Sequence, residues 1–417
     1  MGDFEIFLGT APGLEALLLD EVRGKGFRRP EAVTGGVTVR GDWPDVWRAN
    51  LWLRGAGQVL ARVASFHAGH LAELDARARR VDWAAVLRPD VPFRVVAACR
   101  GSRIYHSGAA AERIGRAIRD ALGVPGGDAG AAEDRAAVAG SARPGTARPG
   151  MAGDGAPGVG EAEAGAAEDG TAEDGAPHDG VTVTARIERD LCTISLDTSG
   201  EPLHRRGFKR AVARAPLRET TASLFLRALG YDGAEPVLDP MCGAGTFVIE
   251  AAEVAARLNP GRARRFAFEE LATFDAAAWA RMRGVRRDRV PPLRFHGRDR
   301  DAGAVAMSRA NAARAGVAGF AAFARGTVGE LVPPEGPPGL VVVNPPYGTR
   351  IGERGELAAL HRALGRVLMG RFAGWRVGLV TSEAALAAAT GLPFAPPGEA
   401  VPHGGLRVRL YRTGVLG

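Results

Sequence analysis

Pro236-Val237-Leu238-Asp239-Pro240-Met241-Cys242-Gly243-Ala244-Gly245-Thr246 is the stretch on which the fold turns. A short apolar run ends in a carboxylate, a glycine turn follows, and Phe247-Val248-Ile249-Glu250-Ala251-Ala252 continues as a helix-like segment. Two glycines let the backbone approach a ligand closely, and the start of a helix supplies N–H groups that lack intrahelical partners. Three ligand classes compete for such a turn. A dinucleotide fingerprint wants glycine where Val248 stands, and a phosphate-cradling loop wants lysine where Gly245 precedes Thr246. What remains favours a cationic amino-acid ligand beside Asp239, S-adenosylmethionine, held by the turn from Met241 and Cys242 through Gly243 and Gly245 to Thr246.

Two further strand ends extend the pattern. Leu293-Arg294-Phe295-His296-Gly297-Arg298-Asp299 reads as the next strand, with an acid at its end placed to accept ribose hydroxyls. Asp299 could instead cap the following helix, although Asp301 is better placed for that role. Further on, Val341-Val342-Val343-Asn344-Pro345-Pro346-Tyr347-Gly348-Thr349-Arg350 is a β-branched run stopped by an amide, two prolines and an aromatic ring. The prolines cannot continue a ladder, so Asn344 sits at a strand's carboxyl end, the edge at which open α/β sheets bind ligands. Its carboxamide oxygen and the Pro345 carbonyl suit an exocyclic amino group with two hydrogens to donate. Tyr347 offers a face for a base taken out of its stack. The plainer reading is a proline-rich loop after a core strand. Strand–glycine turn–helix, strand–acid, then strand–Asn-Pro-Pro-Tyr is the order of a doubly wound methyltransferase.

The chain resembles the THUMP-domain class I RNA methyltransferases that make N2-methylguanosine, and among them most closely the amino-terminal half of the bacterial 23S ribosomal RNA enzymes. The resemblance runs from about Phe4 to Tyr411 with one interruption. It rests on the motifs above together with Gly13-Leu14-Glu15, Gly35-Gly36-Val37, Asn50-Leu51-Trp52-Leu53-Arg54, Leu196-Asp197-Thr198-Ser199-Gly200, Leu203-His204-Arg205-Arg206-Gly207-Phe208 and Pro216-Leu217-Arg218-Glu219-Thr220. It implies an α/β protein in three parts. Residues 1–65 would be a small ferredoxin-like module, 66–200 a THUMP RNA-binding domain, and 201–417 a Rossmann-like, doubly wound methyltransferase domain. It also implies a partner of structured RNA, ribosomal before transfer RNA, and a monomer in the cytoplasm. Catalysis would fall to Asn344, Pro345 and Tyr347, and substrate contacts to Pro346, Tyr347, Arg205 and Arg206. S-adenosylmethionine would be the cofactor, with Asn344 also touching it, and no metal is required.

Two departures stand out. Where the family has an acid after the third strand to hold the adenine amino group, this chain reads Arg325-Gly326-Thr327-Val328, so Thr327 takes the place. The second methyltransferase fused onto some members is expected to be absent, and its activity with it. Competing functions are an adenine-N6 DNA methyltransferase, for which Asn-Pro-Pro-Tyr would serve equally well, a transfer RNA enzyme, and a non-catalytic RNA-binding protein.

Composition agrees with this organisation. A chain of 417 residues, 46% hydrophobic, can form two or three domains with their own cores. Cys99, Cys192 and Cys242 are the only cysteines and stand far apart, which argues against a disulfide framework or zinc ribbon and suits a reducing compartment. No basic-then-apolar leader opens the sequence, and no run approaches a membrane span. His67 and His70 could share a helix face but lack a third ligand. The formal charge of +7 hides polarity: residues 127–180 hold eleven acids and three arginines, and the rest carry 51 basic against 36 acidic residues. Nearly all the basic residues are Arg, which forks onto phosphate and stacks on bases, although a GC-rich coding bias would give the same excess. Residues 124–179, rich in Ala, Gly, Glu, Asp and Pro, are expected to be a disordered insert. Strands are expected at Pro92–Cys99, Val181–Glu188 and Leu191–Asp197, the last two joined by an Arg189-Asp190 hairpin turn.

Overall fold

Alternating runs in the first half of the chain and short, continuous apolar runs such as Leu340–Val343 in the second accompany two seven-stranded sheets of different kinds. The computed structural model describes residues 2–124, 180–209, 217–285, 288–347 and 354–417. The insert expected over 124–179 therefore lies, Val124 apart, outside the described residues, as does Pro216.

The first sheet contains β1 (Phe4–Gly9), β2 (Arg28–Val33), β3 (Gly36–Gly41), β4 (Gln58–His67), β5 (Phe93–Arg100), β6 (Val181–Glu188) and β7 (Leu191–Asp197), in the order β2-β3-β1-β4-β7-β6-β5. Its pairings are antiparallel except for β5 with β6. Helices α1 (Glu15–Gly24), α2 (Trp43–Trp52), α3 (Leu71–Ala78) and α4 (Ser107–Leu122) belong to this half. The order β1-α1-β2-β3-α2-β4 with β1 and β3 central is the ferredoxin-like arrangement. In β6, Val181, Val183, Ala185 and Ile187 are buried while Thr182, Thr184, Arg186 and Glu188 are not, the period-2 pattern of a strand with one covered face. The Arg189-Asp190 turn between β6 and β7 is as expected, both residues taking positive φ (50° and 65°), the geometry that two-residue hairpins require. β4 passes unbroken through residue 65, bonded to β1 on one side and β7 on the other, so the ferredoxin-like module and the unit after it share one sheet.

The second sheet contains β8 (Val237–Asp239), β9 (Phe295–Asp299), β10 (Ala321–Arg325), β11 (Leu340–Val343), β12 (Arg376–Thr381), β13 (Val401–His403) and β14 (Leu406–Arg412), in the order β10-β9-β8-β11-β12-β14-β13. The first five are parallel, and β14 runs antiparallel to β12 and β13. Its helices are α5 (Glu219–Ala228), α6 (Thr246–Ala255), α7 (Ala276–Gly284), α8 (Ala302–Ala315), α9 (Arg354–Arg371) and α10 (Ala384–Ala389). β8 and β11 are buried at every residue, as central parallel strands must be. Strand order reverses between them, which puts the topological switch point at their carboxyl ends.

A buried charge cluster joins the halves. Arg54, just past α2, donates to Glu250 (2.9 Å) and Glu253 (3.1 Å) of α6, while Glu21 of α1 accepts the backbone N–H groups of Arg54 (2.7 Å) and Gly55 (2.8 Å). Arg262 pairs with Glu253 from the other side. Burial pushes the Glu250 carboxyl up, but Arg206 and Arg54 outweigh it and hold the group below the usual carboxylate range. Beside the cluster, Trp47 of α2 lies 6.1 Å from Phe268, which meets Trp279 of α7 edge-on at 5.0 Å.

Candidate active site

The apolar run of β8 stops at Asp239, whose Oδ1 accepts the Met241 N–H (3.0 Å), turning the chain sharply into the glycine loop. Gly243 and Gly245 take φ of 51° and 86°, which L side chains rarely adopt, and a Cβ on Gly243 would meet nothing within 4 Å. The turn thus shows an open backbone face above Gly243 and leads directly into α6 at Thr246. Asp239 itself is only 2% exposed. Burial pushes its carboxyl up to about 8; the Met241 N–H opposes this and the neighbouring Asp299 adds to it. A buried, incompletely compensated acid beside an open glycine turn is a seat for a cationic ligand.

Neighbouring elements pin the turn. Asp299, half-buried at the end of β9, accepts from Gly243 N–H (3.0 Å) and Asp301 N–H (3.0 Å). Asp301 takes the helix cap by accepting from Gly303 N–H (2.8 Å), so Asp299 is left at the strand end with its carboxylate against the loop. Ser308 and Asn311, on the buried side of α8, hydrogen bond to the carbonyls of Gly243 (2.7 Å) and Ala244 (3.1 Å). Both are wholly buried, on an alanine-rich helix whose sequence marks its faces poorly. The Cys242 thiol is buried against Ser308 (3.6 Å) and is raised by that burial, which gives it a packing role within the turn.

Across the switch point, β11 ends and Asn344 begins the loop. Its Oδ1 is buried and takes no hydrogen bond from the described residues. An unpaired buried acceptor costs roughly 1–3 kcal/mol, so a donor is expected from a ligand. Pro345 is buried, Pro346 exposed and Tyr347 half-buried. Burial pushes the Tyr347 phenol up to about 12, and the adjacent Asn344 carboxamide pulls the other way. The structure therefore brings Asp239, the 241–246 turn, Asp299 and Asn344 to one sheet edge.

Three other expected positions fare differently. Arg206 is not open to substrate: it is 2% exposed, and its guanidinium donates to Glu250 (3.2 Å) and to the carbonyls of Leu203 (2.9 Å) and Arg54 (2.7 Å). This corrects the expectation, because every arm of the fork already has an internal acceptor. Arg205 is half-buried near Glu201 (3.7 Å). Thr327 is exposed past β10, and both its N–H (2.8 Å) and its hydroxyl (2.9 Å) donate to Oε2 of Glu330. At the opposite end of the turn, Lys209 bridges Glu219 (2.8 Å) and Thr246 (3.0 Å) beneath the start of α6, which accounts for Glu219 as a buried residue near the cradle.

The open turn, the buried acid and the strand-end acceptors fit S-adenosylmethionine. Among the described residues no group of three or more His, Cys, Asp or Glu is arranged to hold a metal ion, and no helix is long and apolar enough to cross a membrane. Residues 206–393 match the family model of the RMKL-like methyltransferase domain, and residues 5–60 that of the RlmL ferredoxin-like domain. Among solved structures, the chain is similar to a protein from Listeria monocytogenes str. 4b F2365 described as a predicted N6-adenine-specific DNA methylase, at 25% identity over 100% of this chain and 97% of that one, TM-score 0.79. It shares its fold with SMU.472, solved in complex with SAH, at 22% identity, covering 100% and 99% of the two chains, TM-score 0.77. TrmN from Thermus thermophilus shares it too, at 21% identity, covering 99% and 100%, TM-score 0.67.

Proposed function

Residues 206–393 belonging to the RMKL-like methyltransferase domain family and residues 5–60 to the RlmL ferredoxin-like domain family, we propose that this S-adenosylmethionine-dependent methyltransferase acts on the exocyclic N2 of guanine in structured RNA, with 23S ribosomal RNA as the first substrate to test. When bound, S-adenosylmethionine supplies a methyl group already activated on a sulfonium. Asp239 and the Gly243–Gly245 turn hold its amino-acid end, and Asp299 accepts from the ribose hydroxyls.

The observation that carries the reading is the buried Oδ1 of Asn344 at the switch point, which accepts no hydrogen bond from the described residues. The guanine amine is a poor nucleophile because its lone pair is delocalised into the ring. Hydrogen bonds from that amine to Asn344 Oδ1 and the Pro345 carbonyl draw the lone pair out of conjugation. Positive charge grows on the nitrogen as it reacts, so these acceptors bind more strongly in the transition state than in the ground state. Tyr347 stacks on the extruded base, Pro346 walls it, and the displaced proton passes to water. Arg205 and the first sheet contact the RNA and set which guanine reaches the site.

A second reading, adenine-N6 methylation of DNA, draws on the description of the Listeria protein, since an adenine amine would meet the same acceptors. Single-turnover methylation of protein-free ribosomal RNA and of duplex DNA, with product nucleosides identified by mass spectrometry, separates the two. N2-methylguanosine in RNA is expected. N6-methyladenosine in DNA would overturn the proposal.

A further inference from the structure

The carboxyl edge of the second sheet continues past Asp299. β10 lies parallel to β9 with Arg325 opposite Asp299, and Gly326 N–H donates to the Asp299 carbonyl (3.0 Å). Adjacent strands are about 4.8 Å apart. A nucleoside whose amino-acid end sits over β8 and whose sugar sits over β9 therefore carries its base to the end of β10. There the fold leaves an open cavity of about 780 Å³ lined by Arg300, Asp301, Arg325, Gly326, Thr327 and Glu330, ample for a purine ring.

Thr327 lies at this end, yet its hydroxyl and N–H are both directed onto Oε2 of Glu330. Thr327-Val328-Gly329-Glu330 closes as a one-turn capping box, and the effect is to bring a carboxylate back to the cavity wall from three residues downstream. Thr327 engages Oε2 alone, so Oε1 is the oxygen left toward the cavity. The Thr327 N–H, then its hydroxyl, hold the Glu330 carboxyl below the usual carboxylate range, so the group is ionised at neutral pH and can only accept. Resting on the cofactor reading above, we propose that Glu330 reads the exocyclic amino group of the cofactor's adenine, with Thr327 as the clamp that positions its carboxylate. The chain thereby restores, by a short detour, an acceptor that its sequence lacks at position 327.

The test compares two ligands that differ only at that group: S-adenosylhomocysteine, and its purine-riboside analogue, in which hydrogen replaces the amine. Calorimetric titration of the wild-type protein should favour the adenine compound by about tenfold or more, because without the amine the carboxylate has no donor to accept from. Glu330→Gln keeps an oxygen for capping Thr327 and turns an amide NH2, a donor, toward the adenine amine. It should weaken the adenine compound several-fold, of order threefold to tenfold, and bring the two ligands close to parity. A purely structural Glu330 would leave the ratio between ligands unchanged in Glu330→Gln, and that result overturns the inference. Failure of the wild type to bind either compound would instead overturn the cofactor reading, and this inference with it.

Discussion

The two sheets have the same number of strands and opposite grammars. In the first, neighbours run mostly antiparallel and strands such as β5 and β6 alternate, so polar side chains such as Thr182, Thr184, Arg186 and Glu188 occur all along β6. In the second, β8 and β11 are apolar along their length, and polar groups appear where the strands end, at Asp239 and Asn344. A strand buried on both faces cannot carry an unpaired polar group in its middle. Chemistry is thereby confined to the carboxyl edge of the second sheet, whereas the first sheet offers a broad surface with no single privileged position. On the proposed function, the first half contacts RNA over an area and the second reacts at a point.

That division is sharpest if the halves nevertheless form one body, and Arg54 decides this. Its guanidinium is the bridge from α2 to Glu250 and Glu253 on α6. Arg54→Ala leaves two buried carboxylates short of a partner, and breaking a buried pair in this way typically costs about 3–5 kcal/mol. Denaturant unfolding should show that loss as a lower midpoint for the whole protein. A variant losing less than about 1 kcal/mol would mean that the halves stand independently.

At the reacting point the expected effect is on rate. Asn344→Ala should reduce turnover by ~10²–10³, with much smaller changes in the binding of RNA or cofactor, because the carboxamide works chiefly as charge develops on the amine. Tyr347→Ala removes the proposed stacking, worth roughly 1–3 kcal/mol, and should act on capture of the base instead. Single-turnover rates against RNA concentration separate the two. Normal turnover by Asn344→Ala would remove the carboxamide from the mechanism.

Much of this edge was readable in the residues, and the reason is physical. Val237-Leu238 and Leu340 to Val343 are apolar runs that end at a polar residue, so the position of each functional group follows from where burial stops. The Arg189-Asp190 hairpin was readable for a similar reason, a two-residue gap between alternating runs. Arg206 was misread because His204-Arg205-Arg206 belongs to no periodic element, and nothing in adjacent arginines says which one turns inward. Ser308 and Asn311 were missed within an alanine-rich helix whose faces are poorly marked by sequence. The sharing of one sheet through β4 and β7 depends on pairing between strands far apart in the chain, which local pattern does not encode. Glu330 carried a local signature, Thr-x-x-Glu, but its meaning depends on the cavity that the turn faces.

Asp299 tests how much of the edge binds the cofactor directly. Asp299→Ala removes the proposed acceptor for ribose hydroxyls and one anchor of the Gly243 turn. Cofactor affinity should fall by about tenfold to a hundredfold, corresponding to about 1.5–3 kcal/mol. Calorimetric titration measures it, and unchanged affinity would reduce Asp299 to a brace for the loop.

The smallest effect compares two strand-end aspartates, one from each sheet. Asp197, at the end of β7, is raised by burial to about 6, with the N–H groups of Ser199 (2.9 Å) and Gly200 (3.3 Å) pulling it back. Asp239, at the end of β8, has the one Met241 N–H and Asp299 nearby, and burial takes it to about 8. At pH 7 the free fold therefore keeps Asp239 mostly protonated, while the unfolded chain ionises it near pH 4. A raised acid contributes stability that is complete below about pH 4 and is lost as pH rises through about 8, so the wild type should lose stability relative to Asp239→Asn across that window. A cationic ligand reverses the preference by favouring the carboxylate. Binding S-adenosylmethionine at pH 7 should release about one proton, and affinity should climb with pH by at most about tenfold per unit before levelling above about 8. Titration in two buffers of different ionisation enthalpy counts that proton. Asp239→Asn should abolish the release and Asp197→Asn should leave it intact. Equal proton release from all three proteins would show that Asp239 does not face the ligand.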